Sequence, residues 1–221
     1  MYQLLIFDWD GTLIDSEGRI ISSMQAAAAD LTLPKPSDAA VRNIIGLGLP
    51  EAILAIYPDA DTALIEALRD RYAHYFLSAD PTETHLFPGV RETLQSLAKT
   101  HRLAVATGKS RKGLNRALTE TGLGSLFEIT RCADETTSKP DPHMLEEIIW
   151  MTDVSSKAAL MIGDTEYDLE MGQRAGMDTL AVTYGAHEVE RLLRWKPVHQ
   201  IDEFSELQPW LGRLNSGTQP S

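Results

Sequence analysis

The sequence predicts a doubly wound α/β fold, in which helices cover both faces of a parallel sheet, with a helical domain inserted near the amino end. Short apolar runs alternate with amphipathic helical patterns along most of the chain, which is typical of this fold class. One connection is far longer than the others and looks helical throughout. The 221 residues are enough for one such domain with an insert.

Apolar runs without alternation mark the predicted strands, because strands buried on both faces of a parallel sheet read this way. Such runs cover residues 3–7, 102–106, 160–162 and 179–182, and a weaker run covers 126–132. Helical patterns cover residues 90–99, 111–121, 143–151, 166–175 and 188–195. The alternation of the two patterns predicts βα units and a parallel sheet.

The long connection between the first two strands predicts the inserted domain. Ile20, Met24 and Ala27 share one helical face, and Leu64 and Leu68 share another further on. A structureless loop of this length is improbable in a compact domain. We therefore predict a helical domain over 16–85 and an α/β core over 1–15 and 86–221, with hinges near 15–18 and 85–89.

Composition excludes several classes of protein. With 20 Lys and Arg against 32 Asp and Glu, the net charge is -12, which argues against nucleic acid or an anionic membrane as a partner. The single Cys132 cannot form an internal disulfide and is expected to be buried. Because no apolar stretch approaches the ~20 residues of a membrane span, we expect a cytoplasmic protein. Every long apolar helix face is accounted for by packing inside the predicted fold, which favours a monomer or weak homodimer.

The strongest motif is Asp8-Trp9-Asp10-Gly11-Thr12, directly after the first strand. Two carboxylates spaced i, i+2 at a strand end point to the same side, and the carboxyl ends of strands bind ligands in open α/β sheets. One carboxylate could act as a nucleophile and the other as general acid and base. Alternatively, the residues form a turn in which Asp8 caps backbone amides.

Thr107-Gly108-Lys109-Ser110 follows the second predicted strand and could cradle an anion. The alternative is an ordinary helix cap by Ser110. A nucleotide P-loop is excluded, because Leu103 stands where that loop needs glycine. Lys109 is more readily interpreted as a solvated surface charge than as a substrate ligand.

Two further motifs lie near later strand ends. Lys139 precedes Pro140 and could neutralise a phosphoryl group and a carboxylate, although an isolated lysine is usually solvated. Asp164 ends a buried strand and is a candidate ligand for Mg²⁺. Asp168 follows one helical turn later, where it could serve the same site or form a capping box with Thr165. Since no histidine pairs with a second ligand at zinc spacing, a structural zinc site is not expected.

Taken together, these motifs make the sequence resemble the haloacid dehalogenase-like hydrolase superfamily, whose core is Rossmann-like. The resemblance covers residues 3–185 and is greatest to the helical-cap subgroup and to phosphoglycolate phosphatase-like enzymes within it. Its four motifs fall here on the residues Asp8, Asp10, Thr107, Lys139, Asp164 and Asp168. An acid at position 10 favours phosphoryl chemistry over dehalogenation, since dehalogenases lack it.

The resemblance implies an Mg²⁺-dependent phosphatase that acts on a small phosphorylated metabolite. Asp8 would become an aspartyl-phosphate, and Asp10 would protonate the leaving group and then activate water. The Asp8 carboxylate, the Asp10 backbone carbonyl and Asp164 would hold Mg²⁺, with Asp168 supporting the metal waters or orienting Lys139. Thr107 and the amides of Trp9, Asp10 and Gly108 would bind phosphoryl oxygens.

Three alternatives share these motifs. A phosphomutase would keep the phosphoryl group for transfer to a sugar, and a pyrophosphatase of the same fold would accept pyrophosphate. A non-catalytic regulatory protein on the same scaffold is disfavoured by the intact set of carboxylates.

The segment from Gly46 to Pro50 fits two interpretations equally well, a lid over the site and an ordinary turn between helices.

Overall fold

The structure is a computed structural model that describes residues 1–216. A parallel six-stranded sheet forms its centre, in the order β5-β4-β1-β6-β7-β8. The strands within the described residues are β1 Leu4–Phe7, β2 Ile14–Asp15, β3 His85–Leu86, β4 Arg102–Thr107, β5 Ile129–Cys132, β6 Ala159–Gly163, β7 Asp178–Val182 and β8 His199–Ile201. The helices are α1 Glu17–Asp30, α2 Asp38–Asn43, α3 Leu49–Ile56, α4 Thr62–His74, α5 Val90–Leu97, α6 Arg111–Thr121, α7 His143–Thr152, α8 Glu166–Arg174, α9 Val189–Leu193 and α10 Leu207–Ser216. The predicted α/β fold class is confirmed.

Strand β1 lies at the centre of the sheet and is buried on both faces. Leu5 and Phe7 belong to one apolar cluster, whereas Leu4 and Ile6 belong to a second cluster on the opposite face. Successive side chains of a strand point to opposite faces, so an unbroken apolar run is what this position requires. The strand therefore delivers the residue that follows Phe7 to the middle of the carboxyl edge of the sheet.

Helices α1 to α4 follow the central strand and have an apolar cluster of their own, which includes Met24, Ile53 and Leu68. A π-helical turn over Tyr75–Ala79 continues α4. The chain leaves and re-enters the sheet region through the short antiparallel pair of β2 and β3, in which Ile14 pairs with Leu86. This pair lies at the two positions where hinges are predicted.

The later part of the chain differs from the sequence prediction. Strand β8 and helix α10 were not predicted. Strand β8 is a three-residue edge strand that begins with a histidine and has no long apolar run. Of the weak run over 126–132, only Ile129–Cys132 forms a strand, β5, and Leu126 is the last residue of a 3₁₀ turn, Gly124–Leu126. Residues 217–221 of the predicted core range lie outside the described residues.

Among the described residues, no helix has both the length and the apolar character that crossing a membrane requires.

Candidate active site

The Asp8-to-Thr12 turn forms at the end of β1 because Gly11 adopts a left-handed conformation, with φ of +82°. A Cβ atom at Gly11 would lie 2.1 Å from Asp164 Oδ2, so a side chain there would collide with that carboxylate. Glycine is thus required for both backbone conformation and space. Both Asp8 and Asp10 line a cavity at the carboxyl edge of the sheet, as the motif predicted.

Asp8 and Lys139 form a fully buried ion pair. Lys139 Nζ lies 2.7 Å from Asp8 Oδ1 and 2.7 Å from Asp168 Oδ1. Asp8 Oδ2 is buried without a hydrogen-bond partner among the described residues. The interpretation of Lys139 as a solvated surface charge is therefore wrong, because its two carboxylate partners hold it inside the protein.

Asp164 is held rigidly at the end of β6. Its Oδ1 accepts a hydrogen bond from the Thr12 hydroxyl at 2.7 Å, and its Oδ2 accepts one from the Ala186 amide at 2.8 Å. A Cβ atom at Gly185 would lie 2.2 Å from Asp164 Cβ, so the loop after β7 approaches closely only because residue 185 is glycine. Sequence reasoning missed this loop, although it follows a predicted strand and contains a glycine.

Asp8, Asp164 and Asp168 form a buried carboxylate triad, in which each residue offers an oxygen within 4.8 Å of the others. Burial raises the pKa of Asp8 well above its ordinary range, and Lys139 offsets only part of that effect. Burial, reinforced by the charge of Asp168, raises the pKa of Asp164 to about 7. For Lys139, burial opposes the charged form, but Asp168 and Asp8 outweigh it and raise the pKa.

Asp168 forms the capping box with Thr165 and also contacts Lys139. Its Oδ2 accepts hydrogen bonds from the Thr165 hydroxyl at 2.7 Å and the Thr165 amide at 3.1 Å, which completes a capping box at the start of α8. Its Oδ1 accepts a hydrogen bond from Lys139. Both oxygens are thus engaged by protein donors, an arrangement that orients Lys139 towards Asp8.

The Asp10 side chain lies outside the carboxylate triad. Lys109 Nζ is 2.9 Å from both of its oxygens, and the Ser16 hydroxyl donates a hydrogen bond to Oδ1 at 2.7 Å. The Lys109 ammonium also lies 4.5 Å from the centre of the Phe76 ring, at the end of the inserted helices. The interpretation of Lys109 as a solvated charge is wrong, since only 10% of its side chain is exposed.

Thr107 and Gly108 lie at the end of β4 beside the same cavity, as predicted. The Thr107 hydroxyl is buried and accepts a hydrogen bond from the Lys109 amide at 3.2 Å. Trp9 is fully buried, and its ring packs edge-on against Phe127. Its side chain is therefore turned away from the cavity wall that Asp8 and Asp10 form, which leaves its backbone amide as the group a substrate could use.

The Gly46-to-Pro50 segment rests on the core beside these residues. The Gly48 amide donates a hydrogen bond to the Ser138 hydroxyl at 2.7 Å. A Cβ atom at Gly108 would lie 2.4 Å from the Leu47 carbonyl oxygen and 2.5 Å from the Gly46 carbonyl oxygen. The segment approaches this closely only because residue 108 lacks a side chain.

The chain has relatives across most of its length. The sequence pattern of the haloacid dehalogenase-like hydrolases matches residues 5–182. A protein of Dickeya dadantii named probable phosphatase IndB is 37% identical over 94% of this chain and 92% of its own length. A phosphoglycolate phosphatase of Psychrobacter arcticus is 31% identical over 95% of each chain.

Solved structures show the same fold. A haloacid dehalogenase-like family hydrolase from Streptococcus pneumoniae superimposes with a TM-score of 0.83, covering 95% of this chain and 98% of its own, at 21% sequence identity. The sequence match, the shared fold and the phosphatase relatives agree with one another. The chain belongs to the haloacid dehalogenase-like hydrolase family and is a phosphatase of that family.

Proposed function

We propose that this phosphatase is an Mg²⁺-dependent phosphomonoester hydrolase that acts through an aspartyl-phosphate on Asp8. The observation that carries the proposal is the position of Asp8, at the central strand end, beside a cavity, with one buried oxygen free of any hydrogen bond among the described residues. A buried carboxylate oxygen without a donor costs free energy unless a ligand completes its surroundings. A metal ion and a phosphoryl group are such ligands.

The donor set fits a hard divalent cation. Three buried carboxylates lie within 4.8 Å of one another, whereas Lys139 supplies a single positive charge to them. Oxygen ligands and excess negative charge are what Mg²⁺ prefers. We assign Asp8, Asp164 and the Asp10 backbone carbonyl as ligands, with Asp168 acting on the metal site through Lys139 and the surrounding waters. Bound Mg²⁺ would neutralise phosphoryl charge that the carboxylates otherwise repel.

The first step forms a bond from an Asp8 oxygen to phosphorus while the bond from phosphorus to the leaving oxygen breaks. Asp10, after it takes up a proton in place of its ion pair with Lys109, donates that proton to the leaving oxygen, so the alcohol departs neutral. In the second step, water attacks the phosphorus of the aspartyl-phosphate and gives its proton to Asp10. Inorganic phosphate then leaves, and the Asp8 carboxylate is restored.

The other residues position the phosphoryl group and exclude water. Lys139 stabilises negative charge beside Asp8, and the Thr107 hydroxyl and the amides of Trp9 and Gly108 would bind phosphoryl oxygens. We propose that residues 16–85 form the cap, because the Gly46-to-Pro50 segment covers the site from that side. Closure of such a cap protects the aspartyl-phosphate from uncontrolled reaction with solvent.

The test is hydrolysis of an artificial aryl phosphate by purified protein, with and without Mg²⁺. We expect release of inorganic phosphate that requires Mg²⁺, and a loss of at least about 10³-fold in Asp8→Asn, because the amide cannot act as the nucleophile. Asp15→Asn, at an exposed position just beyond the motif, is the matched control and should keep full activity. Equal rates for wild type and Asp8→Asn would refute the nucleophile, and phosphoryl transfer to a sugar without phosphate release would indicate a phosphomutase.

A further inference from the structure

The cavity beside Asp8 and Asp10 is much larger than the phosphoryl site requires. Its volume is about 550 Å³, within the range of ~300–1,000 Å³ that is typical of pockets for drug-sized ligands. Asp8, Asp10 and Thr107 lie at its core end, and the inserted helices form the opposite wall. A phosphoryl group bound at Asp8 would therefore leave most of this space to the organic part of the substrate.

The wall opposite the phosphoryl site is apolar and partly aromatic. Tyr72 and Phe76 lie one helical turn apart, and their rings stack with centroids 5.6 Å apart and an angle of 22° between planes. Further apolar residues that line the cavity and are not fully buried are Leu47, Leu49 and Leu77. Apolar and aromatic surfaces gain free energy when they cover apolar parts of a ligand, and ring faces favour other rings.

Each cation in the described lining of the cavity lies beside a carboxylate of this chain. Its described lining has two cationic side chains, Lys109 and Arg69. Lys109 is held by both oxygens of Asp10, and Arg69 lies 3.6 Å from Asp70 with half of its side chain exposed. Away from the phosphoryl site, the acidic residues Glu51, Asp70 and Asp134 outnumber these cations. A carboxylate or second phosphate would therefore be repelled there.

We propose that the substrates are phosphomonoesters of uncharged, ring-containing alcohols, rather than phosphorylated carboxylates or pyrophosphate. This inference rests on the proposed phosphomonoesterase function, and it names the class of leaving group that the same site selects. Contacts of the ring with the apolar wall would position the ester for attack by Asp8, so they raise kcat/KM. The Psychrobacter relative's name indicates a carboxylate-bearing substrate for that protein, whereas the two cations in the described lining of this cavity each lie beside a carboxylate of the chain.

The test compares kcat/KM for benzyl phosphate, ethyl phosphate, phosphoglycolate and pyrophosphate at constant free Mg²⁺. Benzyl and ethyl phosphate have similarly poor leaving groups, so their difference reports binding of the ring. We expect kcat/KM for benzyl phosphate to exceed that for ethyl phosphate by at least about 10-fold, and kcat/KM for ethyl phosphate to exceed that for phosphoglycolate and pyrophosphate, whose leaving groups are anionic. A preference for phosphoglycolate or pyrophosphate over benzyl phosphate would overturn the inference.

A matched pair of variants on α3 tests the cavity wall. Leu49 lines the cavity, whereas Leu54 is 40% exposed on the same helix and does not line it. Leu49→Lys should lower kcat/KM for benzyl phosphate about 10-fold and raise it for phosphoglycolate, because it places a cation in the apolar wall. Leu54→Lys should change neither value. If Leu49→Lys leaves the ratio of the two substrates unchanged, the wall does not select the leaving group.

Binding of non-hydrolysable analogues separates this inference from the proposed function. Calorimetry in the presence of Mg²⁺ would compare benzylphosphonate with phosphonoacetate. Tighter binding of benzylphosphonate, weakened in Leu49→Lys but not in Leu54→Lys, supports the substrate class even if no phosphomonoester is hydrolysed and the proposed function fails. Equal, reversed or absent binding overturns the inference, whatever the hydrolysis assays show.

Discussion

At the scale of single residues, the site is dominated by buried like charges. Asp8, Asp164 and Asp168 share one ammonium group, that of Lys139, and all four side chains are removed from solvent. Burial of a carboxylate favours its neutral form, and neighbouring carboxylates reinforce that preference. The arrangement therefore lowers the stability of the metal-free protein at neutral pH, and a divalent cation would remove that penalty.

Replacing Asp164 by asparagine tests this balance. The pKa of Asp164 is raised from 3.8 to about 7 by burial and by Asp168, so the folded protein binds a proton more tightly than the unfolded chain. In the absence of metal, its contribution to stability is therefore lost as pH rises from about 4 to about 7. Asp164→Asn should raise the Tm by a few °C at pH 8 in a chelating buffer, because about 1 kcal/mol shifts Tm by ~2–4 °C in a protein of this size.

The asparagine can keep both hydrogen bonds, since its oxygen can accept from the Ala186 amide and its nitrogen can donate to the Thr12 hydroxyl. At pH 4 the two proteins should have similar Tm values. Adding Mg²⁺ at pH 8 should stabilise wild type and leave Asp164→Asn largely unaffected. A lower Tm for the variant at pH 8 without metal would show that Asp164 does not carry an unfavourable buried charge.

Residue identity and spacing predicted the members of the triad but not every partner. Asp8 and Asp164 directly follow β1 and β6, and Asp168 lies one helical turn after Asp164, so the topology brings the three together at one edge of the sheet. The ion pair of Lys109 with Asp10 could not be predicted in this way. It depends on the direction of two side chains at neighbouring strand ends, and the periodicity of the sequence carries no information about that direction.

At the scale of secondary-structure elements, the site is assembled by loops after β1, β4, β5, β6 and β7. The first four of these junctions were predicted from apolar runs followed by polar residues. The fifth was missed, because the loop from Thr183 to Ala186 contributes a backbone amide rather than a chemically distinctive side chain. Strand β8 was missed because three residues at a sheet edge are too few to show a period.

The contact between the Gly46-to-Pro50 segment and the end of β4 predicts an effect of Gly108→Ala. The added methyl group would lie 2.4 Å from the Leu47 carbonyl oxygen, so the segment must move away. We expect kcat/KM to fall by about 10- to 100-fold, because a displacement of ~1 Å at an active site has effects of that size. Steady-state kinetics with a single phosphomonoester measures the loss.

Hydrogen exchange shows whether the loss has this cause. In wild type, the Gly48 amide is bonded to the Ser138 hydroxyl, and in Gly108→Ala its exchange should become faster. Gly212→Ala is the control, since a Cβ atom there meets no atom within 4 Å and should change neither rate nor exchange. Unchanged Gly48 exchange with full activity would mean that the segment does not need the space at Gly108.

At the scale of the whole molecule, a protein of net charge -12 must bind an anionic substrate. The overall charge repels the substrate at long range, whereas Lys139 and a bound cation would dominate at short range. Salt screens the long-range term over a Debye length of ~10 Å at 0.1 M. The net charge thus affects the rate of encounter rather than the chemistry.

Added salt should therefore raise kcat/KM for a dianionic phosphomonoester slightly, by less than about threefold, between low and moderate ionic strength. The measurement is kinetic and must hold free Mg²⁺ constant, because salt also competes with the metal. A steep fall in kcat/KM would instead indicate that attraction by exposed cations guides the substrate.

The most direct test of the central claim is to trap the phosphoryl group on Asp8. Enzyme is mixed with Mg²⁺ and a phosphomonoester, quenched in acid within one turnover and reduced with borohydride, which converts an acyl-phosphate carboxyl to an alcohol. Peptide mass spectrometry should then find the reduced side chain at Asp8 alone, and Asp8→Asn should give none. Reduction at Asp10, Asp164 or Asp168, or active enzyme with no reduced residue, would contradict the account.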